Sequence, residues 1–173
     1  MCAGKDLEES SVAMLQGSPT LRRAAAVDAE FAFRVLKETM RGYAIATWGT
    51  WWEDESRREM IEQMDAGKTQ VIELHGMPVG IQLIDRLETH IQLVQLYILK
   101  EYQRQGLGTR LLNALLTEAT QSKLPVRLQV LAVNPATALY ERLGFVVVEA
   151  TPERYFMEWS PPSRGAENRA ATR

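Results

Sequence analysis

Between positions 102 and 110 the chain reads Tyr102-Gln103-Arg104-Gln105-Gly106-Leu107-Gly108-Thr109-Arg110. Two glycines one residue apart let a backbone turn tightly and bring successive N–H groups toward a common point. At the start of a helix those donors, together with the helix dipole, make a site for phosphate oxygens. Arg104 and Arg110 add positive charge at its rim. The same glycines could simply end a strand and open a helix, so the pattern alone is weak. It is not a P-loop, since no Gly-Lys-Ser/Thr follows, and it lacks the third glycine of the dinucleotide fingerprint.

A second segment begins 26 residues after Gly108: Asn134-Pro135-Ala136-Thr137-Ala138-Leu139-Tyr140-Glu141-Arg142-Leu143-Gly144-Phe145. By itself it reads as a short helix capped by Asn134, with Pro135 at the first position and Gly144 at the end. Tyr140 then falls on the apolar stripe Ala136, Leu139, Tyr140, Leu143, where a core aromatic would sit. Taken together, the two segments resemble the GNAT acyltransferase superfamily. Gln103-x-x-Gly106-x-Gly108 is similar to its Gln/Arg-x-x-Gly-x-Gly/Ala pyrophosphate loop. Asn134 to Phe145 is similar to its Asn-x-x-Ala-x-x-Leu-Tyr-x-x-x-Gly-Phe segment, with Ala138 one place later than the commonest alanine. The resemblance covers about residues 20 to 159.

The resemblance implies an N-acetyltransferase with acetyl-coenzyme A as cosubstrate, no metal, and a primary amine of a small molecule or peptide as acceptor. In the family, the strand before the glycine loop pairs through its backbone with the pantetheine arm; here its end is Leu96, Tyr97 and Ile98. The pyrophosphate is implied over the N–H groups of Gln105, Gly106, Leu107, Gly108 and Thr109, in the loop that Gln103 and Arg104 open. Asn134 is implied to contact the arm through its side chain, which is compatible with capping. Tyr140 takes the family's position near the thioester sulfur. A phenol of pKa near 10 suits a departing thiolate whose acid has a pKa near 8.5, and it stays protonated at neutral pH.

The base departs from the commonest pattern. Many relatives carry a glutamate on the strand leading to the glycine loop, and that position falls on Gln92, with Gln95 the next inward candidate. Neither accepts a proton. Glu73, Asp85, Glu88 and His90 read as decoration of solvated strand ends. A water-relayed deprotonation, or an acceptor already uncharged, is therefore expected. Direct transfer without an acyl-enzyme is expected too, because the single cysteine, Cys2, lies in a tail. A reading of another class, a non-catalytic acyl-CoA-binding sensor of the same fold, stays open on the missing glutamate.

The acceptor side is implied to be covered by the first two helices and their loop, Tyr43 to Glu55. Three of the four tryptophans, Trp48, Trp51 and Trp52, fall within five residues there, with Tyr43 preceding them. Such rings either pack the helix pair or line a cleft, and acids beside them suit a cationic amine. Tyr97 could face the same cleft.

The elements that must hold these residues follow from hydrophobic period. Thr20 to Arg23 reads as a strand, and a helix starts at Asp28 with Ala32, Leu36 and Met40 on one face. Glu55 to Ala66 is helical, with Met60, Ile61 and Met64 on one side and Gly67 as its stop. Thr69 to Leu74 and Val79 to Arg86 form a hairpin around His75-Gly76. His90 to Leu99 is a third strand, apolar on both faces toward its end. Gly108 to Thr120 carries Leu111, Leu112, Leu115, Leu116 and Ala119 as one stripe. Val126 to Leu131, the Asn134 helix, Phe145 to Val148 and Arg154 to Trp159 complete the order β-α-α-β-β-β-α-β-α-β-β. The fold class is α/β of the α+β type: a mixed, mostly antiparallel sheet of six to seven strands flanked by about four helices. One parallel crossover is forced around the Gly108 helix.

At 173 residues the chain is one domain long, and 46% hydrophobic with 24% charged residues is ordinary for a soluble globular protein. Residues 1–19 and 160–173 read as flexible tails around a folded domain at 20–159. Twenty basic against 22 acidic residues leave no broad basic field, so a nucleic-acid partner is not expected. Neither a membrane span nor an apolar leader is legible, and a lone cysteine suits a reducing compartment, so the cytoplasm is expected. A homodimer is compatible with all of this.

Overall fold

The computed structural model describes residues 17–162; the outer parts of both expected tails lie outside the described residues. Seven strands and four helices follow one another in the expected order. They are β1 (Thr20–Arg23), α1 (Ala29–Trp48), α2 (Glu53–Asp65), β2 (Thr69–Leu74), β3 (Met77–Arg86), β4 (Ile91–Ile98), α3 (Leu107–Ser122), β5 (Val126–Leu131), α4 (Thr137–Arg142), β6 (Val146–Ala150) and β7 (Arg154–Trp159). The strands form a single sheet in the order β1-β2-β3-β4-β5-β7-β6. By chain contacts the protein divides into two compact units. The first comprises residues up to Ile84 with Gln95–Gly108, the second Asp85–Val94 with Thr109 onward.

In the first unit β1 pairs antiparallel with β2, and β2 with β3. Val79, Gly80, Ile81, Gln82 and Leu83 are all buried, so β3 is covered on both faces. Gln82 is tolerated there because its Nε2 donates to Gln70 Oε1 on the paired strand at 2.9 Å. Ala24, Ala32, Val35, Met60, Met64, Val71, Ile81 and Leu99 make one core cluster. Ile61, expected beside Met60 and Met64, is 40% exposed. One residue along a helix is a 100° turn, which carries it off the buried face.

In the second unit Ile91–Leu93 of β4 runs parallel to Val126–Leu128 of β5, with α3 in the crossover. Leu111, Leu112, Leu115, Leu116 and Ala119 are all buried, as the stripe requires. β5 pairs antiparallel with β7, and β7 with β6. The sixth strand starts at Val146, not Phe145, and runs to Ala150. Phe145 is instead buried against Tyr140, which takes it out of the edge strand.

An ionic knot ties β1 to the start of α1. Arg22 donates to both carboxylate oxygens of Asp28, at 2.7 and 2.8 Å, and to Glu73 of β2 at 2.7 Å. Asp28 also accepts the Ala25 N–H at 2.8 Å. The Arg22 hydrogen bond, opposed by burial, holds the Asp28 carboxyl below its ordinary value of 3.8. A carboxyl depressed by folding stabilises the native state above the unfolded value, and that stability is lost as pH falls through the folded one. Asp28→Ala is therefore expected to cost about 2–3 kcal/mol at neutral pH. Its penalty should shrink below about pH 3.8. Urea unfolding at the two pH values checks both the size and the sign.

Candidate functional site

The glycine loop is held by its own glutamines. After β4 the chain makes a short 3-10 turn at Lys100–Tyr102. Gln103 then reaches back so that its Nε2 donates to the Ile98 carbonyl at 2.6 Å. Gln105 Nε2 donates to the Glu101 carbonyl at 2.7 Å, while its Oε1 is buried without a partner. Arg104 (φ 63°) and Gly106 (φ 79°) both occupy the left-handed region. Gly106 can do so without strain, and a Cβ placed on it would meet nothing within 4 Å. Gly108 does not share in the turn; it lies in the first turn of α3. Only one glycine makes the bend, and the other leaves the helix start bare of a side chain.

Leu96, Tyr97 and Ile98 form the end of β4 and are half-buried, half-buried and buried. Tyr97 packs against the core cluster of the first unit. The sequence reading missed Gly80, which lies on β3 directly against this strand end. A Cβ there would collide with the Tyr97 carbonyl and come within 3.1 Å of Ile98 Cα. A glycine in the interior of the β3 segment was the available signal.

The aromatic segment is mostly helix. α1 runs to Trp48 and α2 starts at Glu53, so Tyr43 is helical and the expected long loop shrinks to residues 49–52. Gly49 in the left-handed region closes α1, its N–H donating to the Ile45 carbonyl. Trp48 and Trp52 pack with ring centroids 6.2 Å apart, and Trp52 is 51% exposed. Trp51 is half-buried, with its Nε1 donor buried and unpartnered. Of the adjacent acids, Glu53 is already paired with Lys37 at 2.7 Å.

Among the strand glutamines, Gln92 Nε2 makes a long 3.4 Å contact to the Leu93 carbonyl. Gln95 Nε2 donates to Gln63 Oε1 of α2 at 2.7 Å, and Gln95 Oε1 is buried with no partner. Glu73, expected on a solvated strand end, is instead tied to Arg22.

The second unit holds Asn134 and Tyr140. Asn134 Oδ1 accepts the Ala136 N–H at 2.9 Å, and its backbone carbonyl accepts Thr137 N–H. The helix proper starts at Thr137 with Ala136 in the cap position. Asn134 thus closes a tight turn ahead of α4 instead of capping it, and Pro135 stays outside the helix, because an asparagine oxygen bonds readily two residues on. Its Nδ2 donors lie outside that turn. Tyr140 is 9% exposed and meets Phe145 edge-on, centroids 5.7 Å apart at 67°. Its packing role is real.

No group of three or more His, Cys, Asp or Glu suited to a metal occurs among the described residues, and no helix there is long and apolar enough to cross a membrane.

The family described as acetyltransferase (GNAT) domain matches residues 36–161. Among solved structures, the chain is similar to PaiA N-acetyltransferase from Thermoplasma acidophilum in complex with coenzyme A. The two are 18% identical with a TM-score of 0.63 over 83% of this chain and 99% of that one. An acetyltransferase from Thermus thermophilus gives 19% identity and TM-score 0.66 over 83% and 97%. The ribosomal-protein-S18-alanine N-acetyltransferase from Escherichia coli gives 20% and 0.60 over 86% and 97%. No curated protein matches the chain.

Proposed function

Because the chain belongs to the acetyltransferase (GNAT) family, we propose that it is an N-acetyltransferase moving the acetyl group of acetyl-coenzyme A to a primary amine. The observation that carries this reading is the junction of β4 and α3. There a glycine at positive φ, with open space beside it, leads into a 16-residue helix. The first N–H groups of a helix have no intrahelical acceptor and sit at the positive end of its dipole, which suits a pyrophosphate. Gln105, Gly106, Leu107, Gly108 and Thr109 would supply those donors, and Arg104 would add charge. Leu96, Tyr97 and Ile98 would present their backbone to the pantetheine arm, although the Ile98 carbonyl already accepts Gln103. Asn134 would offer its Nδ2 to the same arm. The Thermoplasma relative solved with coenzyme A supports this choice of donor.

Tyr140 is the general acid in this proposal. The amine nitrogen bonds to the acetyl carbon, the carbon–sulfur bond breaks, and the sulfur takes its proton from the phenol. Tyr43, Trp48, Trp51 and Trp52 would line the acceptor side, and the lone Cys2 suits a cytoplasmic setting. The second reading, a non-catalytic acyl-CoA sensor, draws on the glutamines at 92 and 95 and on the packing of Tyr140 against Phe145. Free-thiol release from acetyl-CoA over a panel of amines tests the two. Release with any amine supports the enzyme, and tight donor binding without release supports the sensor.

The strand end gives a further expectation. Gly80→Ala forces the β4 backbone at Tyr97 and Ile98 to move and should weaken acetyl-CoA binding about tenfold, with overpacking costing about 1–3 kcal/mol of stability. Gly42→Ala on α1, where a Cβ meets nothing within 4 Å, is the control. It should stabilise the protein by about 0.5–1 kcal/mol and leave binding unchanged. Calorimetric titration of the two variants decides.

A further inference from the structure

Among the described residues of the first unit, every buried or half-buried carboxylate is already paired. These acids are Asp28, Glu53 and Glu73. Asp28 and Glu73 hold Arg22, and Glu53 holds Lys37. The remaining described acids of this unit are exposed. On β4 the group that faces inward is instead an amide in a fixed orientation. Gln95 Nε2 is committed to Gln63 Oε1, which turns Gln95 Oε1 the other way, buried and without a partner. A buried carbonyl oxygen left unpaired is costly, and natural proteins retain such an atom where a ligand or water completes it. It can receive an N–H, but it cannot take up a proton.

That chemistry selects among amines. At about pH 7.5 roughly a third of an α-amino group of pKa 7.7–8.0 is neutral, against about 0.1% of a lysine side chain of pKa 10.4. The nucleophile is the neutral form, so without a base the first has an advantage of about 200-fold. We propose that the acceptor is an α-amine beside a carbonyl, as in a peptide N-terminus or an amino-acid amide, held by an N–H donated to Gln95 Oε1, with Gln63 as the residue that positions Gln95. This rests on the acetyltransferase reading and narrows it. The amine attacks as R–NH2; the C–N bond forms and the C–S bond breaks. The thiolate takes its proton from the acid, and the surplus proton on nitrogen leaves to water, which restores the acid.

The test compares kcat/KM at about pH 7.5 for an alanyl tetrapeptide, alaninamide and Nα-acetyl-lysine amide, with acetyl-CoA saturating. The two α-amines should exceed the ε-amine by about 100-fold or more, and their ratio to each other shows whether a peptide or a single residue is the better acceptor. Gln95→Leu should raise the acceptor KM about tenfold without moving the KM for acetyl-CoA. Gln63→Leu should do the same more weakly. Gln63→Glu, which keeps an oxygen for Gln95 Nε2, should restore it, a rescue that a merely structural role would not produce. Gln95→Glu, which can take a proton, should narrow the α-to-ε ratio about tenfold. Preference for the ε-amine, or an unchanged acceptor KM in a well-folded Gln95→Leu, overturns the proposal and leaves the acetyltransferase reading standing. Donor binding without thiol release from any of the three overturns the proposal, and silence across the wider amine panel overturns the acetyltransferase reading with it.

Discussion

Tyr140→Phe is expected to lower kcat by about 10²-fold or more while leaving the KM for acetyl-CoA nearly unchanged. The change removes one hydroxyl and keeps the ring that packs edge-on against Phe145 at 5.7 Å. Stability should therefore move little. The separation of kcat from KM follows from where the lost interaction belongs: the phenol gives its proton only as the carbon–sulfur bond breaks. A residue that served packing alone would leave kcat within about twofold. Steady-state kinetics with a true amine acceptor decides, and an unchanged kcat ends the assignment of Tyr140 as acid.

Donor binding should respond most to the two loop glycines, by different physics. Gly106→Val places a β-branched residue at a φ of 79°, which left-handed backbone makes unfavourable by about 1–2 kcal/mol, and fills the open space beside the loop. Gly108→Asp leaves the backbone helical. A carboxylate in the first turn of a helix is normally stabilising, so this variant should fold well. It nevertheless sets a negative charge where the pyrophosphate would lie. Each should raise the dissociation constant for acetyl-CoA tenfold or more, about 1.4 kcal/mol or beyond. A wild-type constant for folded Gly108→Asp in a calorimetric titration would remove the loop from the donor site.

Elements with a strong period were legible in the sequence. The stripe Leu111 to Ala119 and the strands Thr69–Leu74, Val126–Leu131 and Arg154–Trp159 lie where the residues alone place them. Boundaries failed where a side chain competes with the backbone: Asn134 bonds Ala136 N–H, and the helix starts two residues later than an asparagine cap suggests. Density of aromatics between Tyr43 and Trp52 suggested a loop, yet alanine-rich spacing carries the helix through Trp48. The candidate site was proposed from two motifs; the contacts behind those motifs were not legible. No local pattern pairs Gln95 with Gln63 across 32 residues, Arg22 with Glu73 across 51, or Gly80 with the carbonyl of Tyr97. Such contacts are made by topology, which period and composition do not encode.

The division of the chain into units has a consequence for how it is made. The polypeptide passes between them three times, at Ile84/Asp85, Val94/Gln95 and Gly108/Thr109. A ribosome extending the chain from its N-terminus cannot release the first unit for folding until Gly108 has emerged. By then the ten residues Asp85–Val94 of the second already hang between its two parts. That segment contains the first half of β4, whose partner β5 is synthesised some 30 residues later. At about 5–20 residues per second, it waits on the order of seconds with its pairing edge open. No single cut yields either unit as one continuous fragment.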